Sequence, residues 1–373
     1  MGTITSRKRR DGTVGHTAQI RLKRGGKVIH TEAQTFDRRP PAAAWLKKRE
    51  GELAQPGALD RLTADDPTLG EVIDRYISES KKAIGRTKEQ VLRAIKGHDL
   101  ANLRCSAVGS DEISAFASEL VKKVKPQTVG NYISHLGAVF AVAKPLWKHP
   151  LDRQAMKDAI TALKRMGIIG RSEQRDRRPT LDELDKLMRH FGAIRARRRD
   201  SIPMQVVMAF AIFSTRREDE ITRLLWFDLE KANSRIMVRD MKNPGEKIGN
   251  NVWCDLTPEA LDIIRAQPRT NDRIFPYSTD AICAAFTRAC YVVGINTEEM
   301  PAKLRLHFHD LRHDGVSRLF ELGWNIPHVA GVSGHRSWQS LKRYTHIRQT
   351  GDKYAGWPWL ATITAEAGHD GIR

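Results

Sequence analysis

Apolar residues recur along this chain at two periods, and the change from one to the other marks out its elements. Between His16 and Lys23 the pattern alternates, with Ala18, Ile20 and Leu22 on one face and Gln19, Arg21 and Lys23 on the other, as in a half-buried strand. Gly25-Gly26 permits a tight turn before Val28 to Thr35, so the stretch predicts a β-hairpin. After Pro40-Pro41 the period becomes helical: Ala42, Trp45, Leu46, Arg49 and Leu53 share a stripe that can cover the sheet. Gln55 to Asp66 has no periodicity and contains Pro and Gly, which reads as a linker. Thr68-Leu-Gly-Glu71 is a capping box ahead of Val72, Ile73, Tyr76 and Ile77, and further helical patterns run near Lys88 to Ile95, Asp111 to Val121, Thr128 to Val142 and Gln154 to Met166.

In the second half, Thr180-Leu-Asp-Glu183 is another capping box, with Leu184, Leu187, Met188 and Phe191 as the buried stripe behind it. Ile202 to Phe213 is apolar nearly all round and predicts a central core helix. Arg235 to Arg239 and Val252 to Leu256 read as strands on either side of a loop, Thr257-Pro258 opens a helix, and Ile282, Phe286, Cys290 and Val293 form a last core stripe. The expected architecture is multidomain and mainly α. A small N-terminal β-sheet plus helix module occupies 1–60, a helical bundle 66–166, a basic linker 167–179, a mixed α/β but mainly helical domain 180–348, and a tail 349–373.

Charge narrows the partner. Across 373 residues there are 63 Lys plus Arg against 44 Asp plus Glu, a formal charge of +19; residues 1 to 50 alone carry 13 basic and 4 acidic side chains. Such an excess favours a polyanion bound by counterion release. Lys81, Lys82, Arg86, Lys88, Arg93 and Lys96 are candidate phosphate contacts in the bundle, and Arg171, Arg175, Arg177 and Arg178 suit a connector wrapping DNA. No apolar run approaches the roughly 18 residues of a membrane span, and no apolar segment follows the N-terminal charges as in a signal peptide. Four scattered cysteines without a CxxC pair fit a reducing cytosol. The expected location is cytoplasmic, at the nucleoid, with no membrane partner.

The chemistry concentrates between Leu304 and Ile347, which holds His309-Asp-Leu-Arg312, then Gly334-His335, then Tyr344. Three residues are nearly one helical turn, so His309 and Arg312 project from one face, a titratable nitrogen beside a permanent fork of donors. Ser340 to His346 reads as a polar, basic helix carrying a phenol. The set suits a phosphate site with an attacking tyrosine. Two other readings use the same residues. HxxR is common on solvated helices, and His307, His309 and His313 with Asp310 and Asp314 have the spacing of a metal cluster. Against a metal, Arg312 sets a fixed cation beside it and no further ligand follows at suitable spacing.

HxxR, GH and a tyrosine nine residues later, in that order near a C-terminus, resemble the tyrosine recombinase (phage integrase) family over about residues 175 to 348, and more loosely upstream. The resemblance extends to Ser214-Thr-Arg-Arg217-Glu-Asp-Glu220-Ile with Leu224, Trp226 and Asp228, similar to the family's first-arginine motif, usually written TGLRxSEL. Aligning Glu220 and Trp226 makes Arg217 the catalytic arginine, with Arg216 the alternative, because Thr215 and Arg216 stand where the family has Gly and Leu. Lys242 matches the family's loop lysine, and Lys247 is the reserve. The resemblance further implies that 1–60 is an arm-type DNA-binding module, 66–166 a core-binding domain and 180–348 the catalytic domain. Tyr344 would form a 3′-phosphotyrosine, Arg217 and Arg312 would hold the non-bridging oxygens, Lys242 would protonate the leaving 5′-oxygen, His309 would assist proton transfer and His335 would donate to the phosphate. Glu220 would support the arginines. No cofactor or metal is implied. The implied partners are double-stranded DNA attachment sites, a homotetramer on DNA, and accessory DNA-bending or directionality proteins, in integration or excision of a mobile element. A type IB-like topoisomerase, a DNA invertase of the same family, a metal-dependent nuclease and a DNA-binding regulator are the alternatives. Trp357-Pro-Trp359-Leu360 is too short for a core of its own; it either folds back on its domain or, as the resemblance implies, packs on a neighbouring protomer.

Overall fold

The computed structural model describes residues 2–9, 12–24, 27–55, 66–172, 175–242 and 249–365, and the chain divides into two units, 1–173 and 174–373.

In the first unit, β1 (Gly2–Lys8), β2 (Val14–Arg24) and β3 (Lys27–Phe36) form an antiparallel sheet in that order. Ala18 and Ile20 are fully buried beneath α1 (Arg39–Ala54), whose Trp45 packs on Phe36 at 6.1 Å. The alternating stretch is therefore the middle strand. β1 escaped the sequence reading because Ile4 is its one large apolar residue; backbone pairing from Gly2↔Ile20 to Lys8↔Val14 recruits it. The expected turn at Gly25-Gly26 and most of the linker, 56–65, lie outside the described residues.

Five helices follow: α2 (Leu69–Glu79), α3 (Arg86–Lys96), α4 (Ser110–Leu120), α5 (Pro126–Trp147) and α6 (Arg153–Arg165). Thr68 and Glu71 close their capping box. The apolar stripes meet in one core that includes Val72, Ile73, Leu92, Ile95, Ile113, Leu136, Phe140 and Ala159. Among the proposed phosphate contacts, Lys88 bonds the Tyr76 hydroxyl at 2.5 Å, Arg93 pairs with Glu89 at 2.7 Å and Lys96 with Asp74 at 2.6 Å.

The second unit is built on two helices. After α7 (Leu181–Arg197), α8 (Met204–Ser214) is buried on nearly every side, and α9 (Glu218–Ile221) leads to a three-stranded antiparallel sheet. Its strands are β4 (Leu229–Glu230), β5 (Arg235–Val238) and β6 (Val252–Asp255). Next come α10 (Pro258–Arg265), α11 (Thr279–Val292), α12 (Phe308–Glu321), α13 (Ile326–Ser333) and α14 (Pro358–Ala365). α12 crosses α8 at Gly315, where an added Cβ would run into the Ile212 carbonyl oxygen. Only glycine allows so close an approach, and the approach brings Arg312 to the end of α8.

The structure bears on three further expectations. The tail folds back on its own domain: Tyr354, Trp357 and Ile363 are buried in the α8 core, Phe213 meets Tyr354 at 5.4 Å, and Trp359 Nε1 donates to Asp185 at 2.8 Å. Arg175, Arg177 and Arg178, expected in a connector wrapping DNA, are each engaged by carboxylates of their own unit. Arg175 pairs with Asp310 at 2.8 Å, Arg177 with Glu183, and Arg178 with Asp314 and Glu321, each at 2.6 Å. Finally, Ser340 to His346 is not an α-helix: it holds the end of one 3₁₀ turn, Trp338–Ser340, and a second, Lys342–Tyr344, with Leu341, Thr345 and His346 outside both. Leu341 and Tyr344 are the buried pair there, and a three-residue spacing aligns on a 3₁₀ helix.

Candidate active site

α8 ends at Thr215, which adopts the left-handed conformation (φ 56°) with its hydroxyl buried and unpartnered. A β-branched residue is strained there, but the turn sends the next two arginines in opposite directions. Arg216 points inward, fully buried, and donates to the carbonyls of Ser214 (3.2 Å) and Val332 and to Cys254 Sγ (2.9 Å). Arg217 turns outward, keeps 27% of its side chain exposed and holds Glu220 Oε1 at 2.6 Å. The Thr215 carbonyl accepts from Arg312 Nη1.

Arg312 is almost fully buried, and its Nη2 reaches the Ser333 carbonyl at 3.0 Å and His335 Nε2 at 3.3 Å. His335 can lie there because Gly334 ends α13 at φ +70°, and its Nδ1 is 2.7 Å from Ser333 Oγ. Glu220 sits at the centre, 2.6 Å from Arg217, 3.7 Å from Arg216 and 3.8 Å from Arg312. Burial alone would raise its pKa, but the three guanidinium groups bring it down to about 2. Burial presses the Arg312 guanidinium downward, Glu220 opposes this, and Arg217 and Arg216 add to it; a guanidinium nonetheless keeps its proton at neutral pH. Burial first, then Arg312 and Arg217, lowers His309 to about 4 and His335 to about 3. Both imidazoles are therefore neutral at pH 7, each with one N–H and one lone pair. Three cations around one carboxylate leave an environment that an anion such as a phosphodiester would neutralise.

Tyr344 adjoins this cluster through His313, which follows Arg312 on α12. Its ring is 7% exposed and stacks on Phe320 at 6.1 Å, and its hydroxyl is hydrogen-bonded to His313 Nδ1. Burial raises its pKa, which Arg343 and Arg312 only partly offset. Among the described residues no hydrogen bond joins Tyr344 to His309, Arg312 or His335. Arg343, over the tyrosine ring at 5.4 Å, is bound to Asp176 at 2.6 Å and to the Arg175 carbonyl.

The structure thus brings Arg217, His309, Arg312 and His335 together, with Tyr344 one imidazole away. Lys242 is exposed at the edge of residues 243–248, and Lys247 lies outside the described residues. Met241 packs beside Gly334, so Lys242 directly follows a residue of the site wall. Of the residues at metal-cluster spacing, Asp310 caps α12 and pairs with Arg175, while Asp314 binds Arg178, Lys353 and Tyr354. Among the described residues no group of three or more His, Cys, Asp or Glu is set to hold a metal, and no helix is long and apolar enough to cross a membrane. His313 was missed as a site residue, although its position four after His309 and next to Arg312 was a usable signal. A recess of 590 Å³ bounded by Asp255, Trp324, Asn325 and His328 shares no residue with this cluster and has no paired cations in its wall.

Residues 177–350 match the phage integrase family. The shufflon-specific DNA recombinase of Escherichia coli is 25% identical over 293 residues, covering 75% of this chain and 69% of that protein. Among solved structures, a lambda integrase dimer bound to a COC′ core site superposes with a TM-score of 0.58 at 18% identity, covering 91% of this chain and 94% of that one. A lambda integrase tetramer bound to a Holliday junction gives 0.56 at 20% identity over 89% of this chain and 95% of that one.

Proposed function

We propose that the chain is a tyrosine recombinase, since its residues 177–350 match the phage integrase family, and that Tyr344 cleaves DNA by forming a 3′-phosphotyrosine. The observation that carries this reading is the convergence of Arg217, Arg312, His309 and His335 around Glu220, with a buried phenol beside them.

Strand exchange must break a phosphodiester and later reseal it without losing the bond energy. A covalent intermediate does so, because the leaving 5′-hydroxyl can be replaced by that of another strand. Arg217 and Arg312 hold the non-bridging oxygens and offset the charge that builds up on them in the pentacoordinate state. Arg217 suits this better than Arg216, whose fork is taken up by carbonyls. When Arg312 turns from His335 Nε2 to the phosphate, His335 in its other tautomer donates to the phosphate from that nitrogen, His309 assists proton transfer, and Lys242 protonates the leaving 5′-oxygen. Glu220 fixes the arginines. The substrates are double-stranded attachment sites bound by a homotetramer, as lambda integrase forms on a Holliday junction. The module at 1–60 holds a second DNA site, and accessory DNA-bending or directionality proteins set the outcome, integration or excision of a mobile element, at the nucleoid in the cytoplasm.

The test is a nicked suicide substrate incubated with protein in EDTA. Wild-type protein should give a covalent adduct, and Tyr344→Phe should give none while binding DNA with nearly unchanged affinity. An undiminished adduct in Tyr344→Phe would sink the assignment, and free DNA ends requiring a divalent metal would indicate a nuclease instead.

A further inference from the structure

One imidazole in the site has no part in the chemistry above. His313 lies one turn beyond His309 on α12, the two rings meeting edge to face at 4.8 Å, and its Nδ1 is hydrogen-bonded to the Tyr344 hydroxyl. Phe320, two turns further along the same helix, stacks on the tyrosine ring with an interplanar angle of 12°. A single helix therefore fixes both the ring plane and the reacting oxygen.

The charged groups facing His313 are His309 and Arg312 on its own helix, Arg343 from the turn that bears the tyrosine, and Asp176 from the connector. Burial first, then His309, Arg343 and Arg312, lowers His313 to about 3, with Asp176 opposing. Its imidazole is thus unprotonated at neutral pH and has a lone pair to offer. Burial meanwhile keeps Tyr344 protonated, so the phenol donates and Nδ1 accepts.

From this geometry we propose that His313 is the catalytic base that takes the phenolic proton of Tyr344 during DNA cleavage, a role that rests on Tyr344 being the nucleophile. In the forward step Oη bonds to phosphorus, the phenolic proton passes to Nδ1, the P–O5′ bond breaks, and the 5′-oxygen takes a proton from the acid assigned to Lys242. In rejoining, a 5′-hydroxyl attacks phosphorus and gives its proton back to the neutral Lys242 amine, the P–Oη bond breaks, and the imidazolium returns its proton to the phenolate. The substrate itself strengthens the base. A phosphate anion held by Arg217 and Arg312 offsets the cations that otherwise oppose protonation of His313.

His313→Asn, assayed in single turnover on saturating suicide substrate, tests this. It should lower the rate of adduct formation about a hundredfold, the usual contribution of a general base, with unchanged DNA affinity and melting temperature. A 5′-bridging phosphorothioate, whose sulfur leaves without a proton, should not restore His313→Asn but should restore Lys242→Ala. A rate within threefold of wild type, or recovery on the phosphorothioate, would overturn the proposal. A second measurement needs no variant at position 313. On the phosphorothioate substrate the wild-type rate should fall with acid pH through a single ionisation lying between about 3, the value without DNA, and the roughly 6.5 of a free imidazole, and a profile flat across that whole range counts against any base. Tyr344→Phe in the same assay separates the two claims: an adduct there refutes the nucleophile, whereas loss of adduct there alongside an unimpaired His313→Asn refutes only the base.

Discussion

Arg216 and Arg217 are adjacent in sequence and have unrelated surroundings. Arg216 is enclosed with Glu220 and its donors are spent on carbonyls, so replacing it leaves buried acceptors unpaired. Arg216→Met should cost about 3 kcal/mol of stability, seen as a lowered thermal midpoint. Arg217→Lys should melt like wild type but lose on the order of 10²-fold in cleavage rate, since a point charge cannot replace a fork that steadies developing charge. The opposite pairing of effects would mean that the register is shifted by one. The site histidines make a second prediction. His309, His313 and His335 hold protons less readily in the folded chain, at about 4, 3 and 3, than in the unfolded chain, at about 6.5. Between those values the unfolded state binds more protons, so their contribution is complete above about pH 6.5 and is lost as pH falls towards 3 to 4. Thermal melts should show a loss of order 1 kcal/mol each for the half-buried His313 and His335 between pH 7 and pH 5, and less for the solvent-exposed His309, and His335→Asn should flatten that slope.

At the scale of elements, the second unit is closed by its own tail and by the connector that leads into it. Tyr354, Trp357 and Ile363 complete the α8 core from the far end of the chain. Burying each such side chain stabilises by roughly 1.5–3 kcal/mol, so a stop after Gln349 removes an amount comparable to the whole stability of a domain. The truncated protein should unfold or melt far below wild type as a free monomer, measured by circular dichroism without DNA. A truncated monomer that melts normally yet fails to assemble on paired sites would restore docking in trans. The connector behaves in the same way. Arg178 is held by Asp314 and Glu321, which ties the entry of the unit to the helix that carries His309, Arg312 and His313.

For the molecule as a whole, the basic N-terminal module contributes none of the residues gathered around Glu220. Deleting residues 1–60 should leave adduct formation at the crossover site within a few-fold of wild type, while integrative recombination falls by an order of magnitude or more as the tether to a second DNA site is lost. Parallel suicide-substrate and two-plasmid assays on the deletion protein would measure both. Wild-type integration without the module would refute the tethering role.

Much of this was legible in the sequence because local patterns report local physics. The capping boxes at Thr68 and Thr180, the stripes of the five-helix bundle, the all-round apolar α8 and the placement of His309 and Arg312 on one helix follow from periods of two and 3.6 residues and from backbone donors that need caps. The ordered motifs from Arg217 to Tyr344 belong to the same class of information, since they name residue types and spacing. The tertiary structure decided what those residues face. That Arg216 turns in and Arg217 out depends on a left-handed Thr215 and on the glycine crossing of α12 over α8, contacts about a hundred residues apart. That the connector arginines pair with acids on α12, that the tail closes its own core, and that Tyr344 rests on His313 in a 3₁₀ turn are likewise consequences of long-range packing. A charge or an aromatic ring in the sequence states what a side chain can bind; only the fold states which partner reaches it first.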